Sequence, residues 1–157
     1  MDKVKTENRG DCMTFSILVK FIVVVILVYI AFIDYKQRII PDKCNIVIAC
    51  IGIINVIYDF ENVVSYLIST VLVFAFFLIL AMVTNGGMGG GDIKLLTALA
   101  LIFGKDVLLV ILFTYTAATI MLIPGLFIKK LKFSSSVALG PYVAFGVFVQ
   151  VINLIFI

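Results

Sequence analysis

The chain has 157 residues, 64% hydrophobic and 13% charged, with a net charge of +3 and a mean hydropathy of +1.27. Soluble domains average about half apolar or less, so this composition predicts an integral membrane protein, and the length allows one bundle with no separate soluble domain. Histidine is absent, which excludes Ser-His-Asp, Cys-His and HExxH zinc chemistry; the small net charge bears on topology and gives no sign of a nucleic-acid partner.

In chain order, residues 1–14 read as a polar, mobile tail, followed by a membrane domain over 15–157. Apolar segments then run over about 15–33, 44–57, 63–83, 93–103, 107–128 and 137–157. Lys20 sits inside the first and is expected to snorkel to the near interface. Trp is absent, so interface anchoring falls to Tyr and Lys. The fourth segment spans only about 16 Å as a helix, too little for a hydrocarbon core of about 30 Å. It must start earlier, in the glycines before it, or be sheltered by its neighbours. Pro124 is expected to bend the end of the fifth. The expected fold is an all-α membrane protein, a bundle of about six transmembrane helices.

Charge placement supports six spans. Fusing the fourth and fifth would bury Gly104-Lys105-Asp106 in the bilayer. With six spans and an outside N-terminus, Lys36, Arg38, Lys43, Lys94, Lys129, Lys130 and Lys132 all face the cytoplasm, while Asp59, Glu61, Lys105 and Asp106 face out; with five, the cluster at 129–132 would lie outside, against the positive-inside rule. The same count brings two acids to one membrane face: Asp34, which ends the first segment, and Asp92, which opens the fourth.

Asp92 follows a glycine-rich turn, Gly86-Gly87-Met88-Gly89-Gly90-Gly91-Asp92-Ile93-Lys94. A charged side chain at a membrane boundary is costly without a role, and glycines remove bulk that would hold a substrate backbone away. Gly89 and Gly91 flank that approach. Each acid also has a plainer reading, as a solvated boundary residue or, for Asp92, as a helix N-cap. Asp42 lies near Asp34 on the cytoplasmic side. Tyr58-Asp59 resembles the YD pair of presenilin-type proteases, but Asp59 falls on the opposite face from Asp92. A phosphate-binding loop would need a Lys-Ser/Thr ending, which is missing. Cys12, Cys44 and Cys50 lack CxxC spacing, so no metal site is expected from them.

Two carboxylates held close together share a proton. The ionised one can draw a proton from water while the protonated one hydrogen-bonds a scissile carbonyl, and the pair titrates as a unit. The residues alone do not say which acid is the first base. This chemistry needs no cofactor and no metal, and it predicts an intramembrane aspartyl protease. Lys94, close after Asp92, is placed either to lower an acid's pKa, to hold a phospholipid or peptide carboxylate, or to act as a boundary lysine.

Three stretches together resemble the type IV prepilin peptidases and their archaeal preflagellin relatives, the GxGD membrane aspartyl proteases, over roughly residues 15–157. Ile33-Asp34-Tyr35-Lys36-Gln37-Arg38-Ile39-Ile40-Pro41-Asp42 is similar to the family's first-aspartate motif, an acid followed by a basic residue and Ile-Pro-Asn/Asp. Met88-Gly89-Gly90-Gly91-Asp92-Ile93-Lys94-Leu95-Leu96 is similar to its GxGDxKL motif, and Ala138-Leu139-Gly140-Pro141-Tyr142 to a later loop-and-helix signature. The resemblance implies that Asp34 and Asp92 are the catalytic pair and that Gly89, Gly91, Lys94, Arg38 and Pro41 belong to the substrate approach. It also implies cleavage of prepilin-like, pseudopilin or flagellin-like precursors, just before their apolar helix, at the cytoplasmic face of a prokaryotic plasma membrane. Members that also methylate the new N-terminus carry a segment with paired CxxC motifs; none occurs in this chain, so a compact, peptidase-only form is expected.

Two other readings remain for comparison. A small six-span transporter or channel would use Asp34 and Asp92 in an ion path, but such proteins favour midplane acids and paired half-helices. A pilin-like substrate would have one apolar helix and a soluble head, which the further spans exclude.

Overall fold

The computed structural model describes residues 2–84, 88–127 and 138–156. They form six helices: α1 Asp2–Gln37, α2 Asp42–Tyr58, α3 Val63–Val83, α4 Gly90–Phe103, α5 Val107–Phe127 and α6 Gly140–Phe156. No strand occurs among the described residues. The expected segments are all present. The stretch expected to be a mobile polar tail is helical from Asp2, continuous with the first apolar segment.

Each helix end has a local cause. Arg38 adopts φ 54° and gives its N–H to the carbonyl of Asp34 at 2.7 Å; a left-handed residue just past the last turn closes a helix in this way. Pro41 then caps α2 in extended geometry and accepts the N–H of Cys44 at 3.0 Å. Between α4 and α5, Gly104 takes φ 53°, a conformation open to glycine because it lacks Cβ.

That glycine makes two helices of one long apolar run. Residues Gly90–Ile123 are apolar over 34 positions, about 51 Å as one helix and far beyond a bilayer core. A Cβ on Gly104 would sit 2.9 Å from the Tyr66 ring of α3. Eleven residues further along both segments, Tyr115 of α5 stacks on Phe77 of α3, with ring centroids 6.0 Å apart. So α5 runs alongside α3 and antiparallel to α4.

α4 is the centre of one half of the molecule. It packs against α2 and α3, and eight of its residues are buried, among them Leu95, Leu96, Leu99 and Ile102. At 14 residues it is too short to span alone, and its neighbours cover it. α2 lies parallel to it, tied by two amides: Asn45 Nδ2 donates to the Gly91 carbonyl at 3.2 Å, and Asn55 Nδ2 to that of Ile102 at 3.3 Å. Between them Gly52 lies against Leu101 and the Ala98 carbonyl; a small residue lets two membrane helices approach closely. The other half is built on α6, which packs against α1 and α5.

α1 joins the halves. Val19, Val23, Leu27, Ile30 and Asp34 are all buried and recur at helical spacing along one face. Lys20 is also buried, 7% exposed, with its ammonium 5.6 Å from the centre of the Phe103 ring. That ammonium lies against an aromatic face, at the same end of the bundle as Asp59 and Asp106, whose charges act on it. Three apolar stretches, Thr14–Gln37, Phe60–Val83 and Gly90–Ile123, are long enough to cross a membrane, with Gly140–Phe156 a shorter one. The chain is an all-α membrane protein.

Candidate active site

Asp34 occupies the last turn of α1, at 3% exposure. A buried carboxylate requires a donor, and it has one from a distant part of the chain: the backbone N–H of Gly140 donates to Asp34 Oδ2 at 2.7 Å. The start of α6 therefore rests on the end of α1.

Asp92 lies in the first turn of α4. Gly89 caps that helix in extended geometry, φ −67° and ψ 137°, and its carbonyl accepts the Asp92 N–H at 3.1 Å. The Asp92 carboxylate lies beside the Gly89 backbone. The charge of Asp34 acts on Asp92, so the two carboxylates, one from each half of the molecule, are electrostatic neighbours. Tyr115 on α5 is within reach of the Asp92 charge as well.

The glycines act through space, not through φ. Neither Gly89 nor Gly91 has a positive φ; among the described glycines only Gly104 does. A Cβ at Gly89 would come 3.0 Å from Asp92 Oδ2, and one at Gly91 would come 3.1 Å from the Ile40 Cβ. Gly90 faces open space. Gly91 therefore seats the glycine motif on Ile40-Pro41, the end of the first-aspartate motif. Gly86 and Gly87 lie outside the described residues.

Of the remaining sequence-derived residues, Lys94, Asp42, Arg38 and Pro41 are near this end of the bundle but not on the pair. Lys94 follows Asp92 by two positions, which turns it to the other side of α4. Its Nζ bonds Asp42 Oδ1 at 2.8 Å, and both side chains are exposed. Arg38 is exposed and serves as the terminator of α1, while Pro41 opens α2. Asp59 is at the opposite end, where Tyr66 Oη donates to it at 2.8 Å and Asn62 Nδ2 at 3.0 Å. No cluster of three or more acidic or cysteine side chains placed to hold a metal ion occurs among the described residues.

Three residues of the site carried little or no sequence signal. Gly140 stood in a recognisable stretch, but nothing local says that its amide meets Asp34. Asn45 had a usable signal, since an amide in an apolar membrane helix usually bonds a neighbouring helix. Tyr115 had none: an aromatic residue in an apolar segment reads as packing.

Over 79 residues the chain is 39% identical to the curated Prepilin peptidase EppA of Methanocaldococcus jannaschii; the aligned stretch takes in 50% of this chain and 22% of that protein. No solved structure matches significantly. Residues 21–126, which include both Asp34 and Asp92, match the type IV leader peptidase family, and the chain belongs to that family.

Proposed function

We propose that the chain is an aspartic endopeptidase that removes the leader from type IV prepilin-like precursors, working at the cytoplasmic face of a prokaryotic plasma membrane. The observation that carries this reading is the convergence of Asp34 and Asp92, buried and half-buried, at one end of the helix bundle. Two neighbouring carboxylates favour a state with one proton between them. In that state the ionised acid takes a proton from water, and the water oxygen attacks the scissile carbonyl carbon. The protonated acid donates to the carbonyl oxygen as charge develops there. Collapse of the tetrahedral species breaks the C–N bond, and the leaving nitrogen takes the proton first drawn from water.

The position of the pair fits a substrate that is itself membrane-anchored. A precursor cut just before its apolar helix presents the scissile bond at a bilayer boundary, level with the ends of α1 and α4. The absence of a side chain at Gly89, where a Cβ would come 3.0 Å from Asp92 Oδ2, leaves room for an extended backbone beside Asp92. Co-expression with a type IV prepilin-like precursor tests this. The expected result is loss of the leader, seen as a mass decrease with a new N-terminus at the start of the apolar helix. An unchanged precursor mass in cells that accumulate the folded protein would reject it.

A further inference from the structure

We propose that Gly140 is a positioning residue for hydrolysis: its backbone N–H holds one oxygen of Asp34 and so keeps the carboxylate in a single orientation beside Asp92. This rests on the peptidase reading and adds α6 to the machinery. The bond from Gly140 to Asp34 Oδ2 is short, 2.7 Å, buried, and closes a sequence separation of 106 residues. A short buried bond of this kind fixes the direction of the oxygen that accepts it.

The start of α6 offers this one amide and little else. Gly140 opens the helix and Pro141 follows, which has no N–H and fixes its own φ. The next amides turn back into their own turn, Tyr142 N–H to the Leu139 carbonyl at 3.0 Å and Val143 N–H to the same oxygen at 3.1 Å. Gly140 is the donor left to face Asp34, so the carboxylate cannot slide to a neighbouring amide of α6.

Only glycine fits there. A Cβ at position 140 would meet Asp34 Oδ2 at 2.9 Å, its Cβ at 3.0 Å and its Cγ at 3.3 Å. The intruding atom would strike the carboxylate itself, not the far end of a flexible chain. A methyl group therefore either rotates Asp34 or lifts α6 away from α1, and both break the bond. With Oδ2 engaged by Gly140, Oδ1 remains for the attacking water.

The test compares wild type, Gly140→Ala and Asp92→Asn on a peptide that spans a prepilin leader junction. Gly140→Ala should lower kcat roughly a hundredfold, the scale of a misplaced catalytic group, with KM within about twofold, measured on the folded fraction of each protein. A folded Gly140→Ala protein with wild-type kcat overturns the proposal. Cleavage by wild type together with failure of Asp92→Asn secures the peptidase reading whatever Gly140→Ala does, so the two claims fail separately. Should Gly140→Ala not fold, the second arm decides. In 15N-glycine-labelled protein, the Gly140 amide resonance should shift more than that of any other glycine on Asp34→Asn. An unmoved Gly140 resonance rejects the bond and the proposal with it.

Discussion

Around Asp92, three consecutive glycines are not equivalent. Gly91 touches Ile40 and Gly89 faces the Asp92 carboxylate, whereas a Cβ on Gly90 meets nothing within 4 Å. Gly90 also sits in a helical turn, where alanine is preferred to glycine by about 0.5–1 kcal/mol. Gly90→Ala should therefore leave cleavage near wild type and raise the melting temperature slightly. Gly91→Val should strongly reduce cleavage, because it pushes α4 off Ile40 and moves Asp92 with it. Cleavage rates beside detergent monodispersity separate these outcomes; equal, small effects at both positions would mean that the glycines are a slack tether. Asp42 and Lys94 form an exposed pair of a kind worth at most about 1 kcal/mol, so Asp42→Asn should keep most of its cleavage activity and its stability.

Among the helices, α4 depends most on its neighbours. Its C-terminal end turns on Gly104, whose positive φ and contact with the Tyr66 ring leave no place for a side chain. Gly104→Ala should cost about 1–3 kcal/mol, read as a lowered melting temperature or denaturant midpoint, and should do so without touching the acids directly. The helices themselves were largely legible. α3 spans Val63–Val83, the range the apolar run predicts, because an apolar stretch bounded by polar residues, Glu61-Asn62 before it and Thr84-Asn85 after it, leaves little freedom in length. α4 begins three residues earlier than its apolar run, since its first turn is built from Gly90, Gly91 and Asp92, which hydropathy alone does not mark as helix. What joins one helix to another was far less legible. The Asn45 bond to Gly91, the Gly140 bond to Asp34 and the stacking of Tyr115 on Phe77 all depend on which helices become neighbours, and local pattern does not encode that. Lys20 shows the same limit: its sequence setting says that it can snorkel to the near interface and does not reveal the Phe103 ring that it lies against.

For the whole molecule, the alternating course of six helices places two chemically different ends. Asp34, Asp42, Asp92, Lys94 and Gly140 gather at one, and Phe15, Lys20, Tyr58, Asp59 and Phe103 at the other, where Phe15 and Tyr58 stack with centroids 4.0 Å apart. Cysteine labelling in intact cells should find position 43 reactive from the cytoplasm and position 61 from outside. The reverse pattern would put the acid pair on the wrong side of the membrane for a cytoplasmic leader. Lys129, Lys130 and Lys132, which supported six spans in the sequence, lie outside the described residues, and the reversal at Gly104 supports the separation of α4 from α5 in their stead.

The central claim is that Asp34 and Asp92 act as one catalytic pair. Its most direct test is the cleavage rate of a leader-junction peptide by purified wild type, Asp34→Asn, Asp92→Asn and Asp42→Asn at equal folded concentration. Each of the first two amides removes a proton-transfer partner worth at least about 10²–10⁴ in rate, so both should reduce cleavage to background while Asp42→Asn continues to cleave. Wild-type cleavage by either Asp34→Asn or Asp92→Asn would contradict the account.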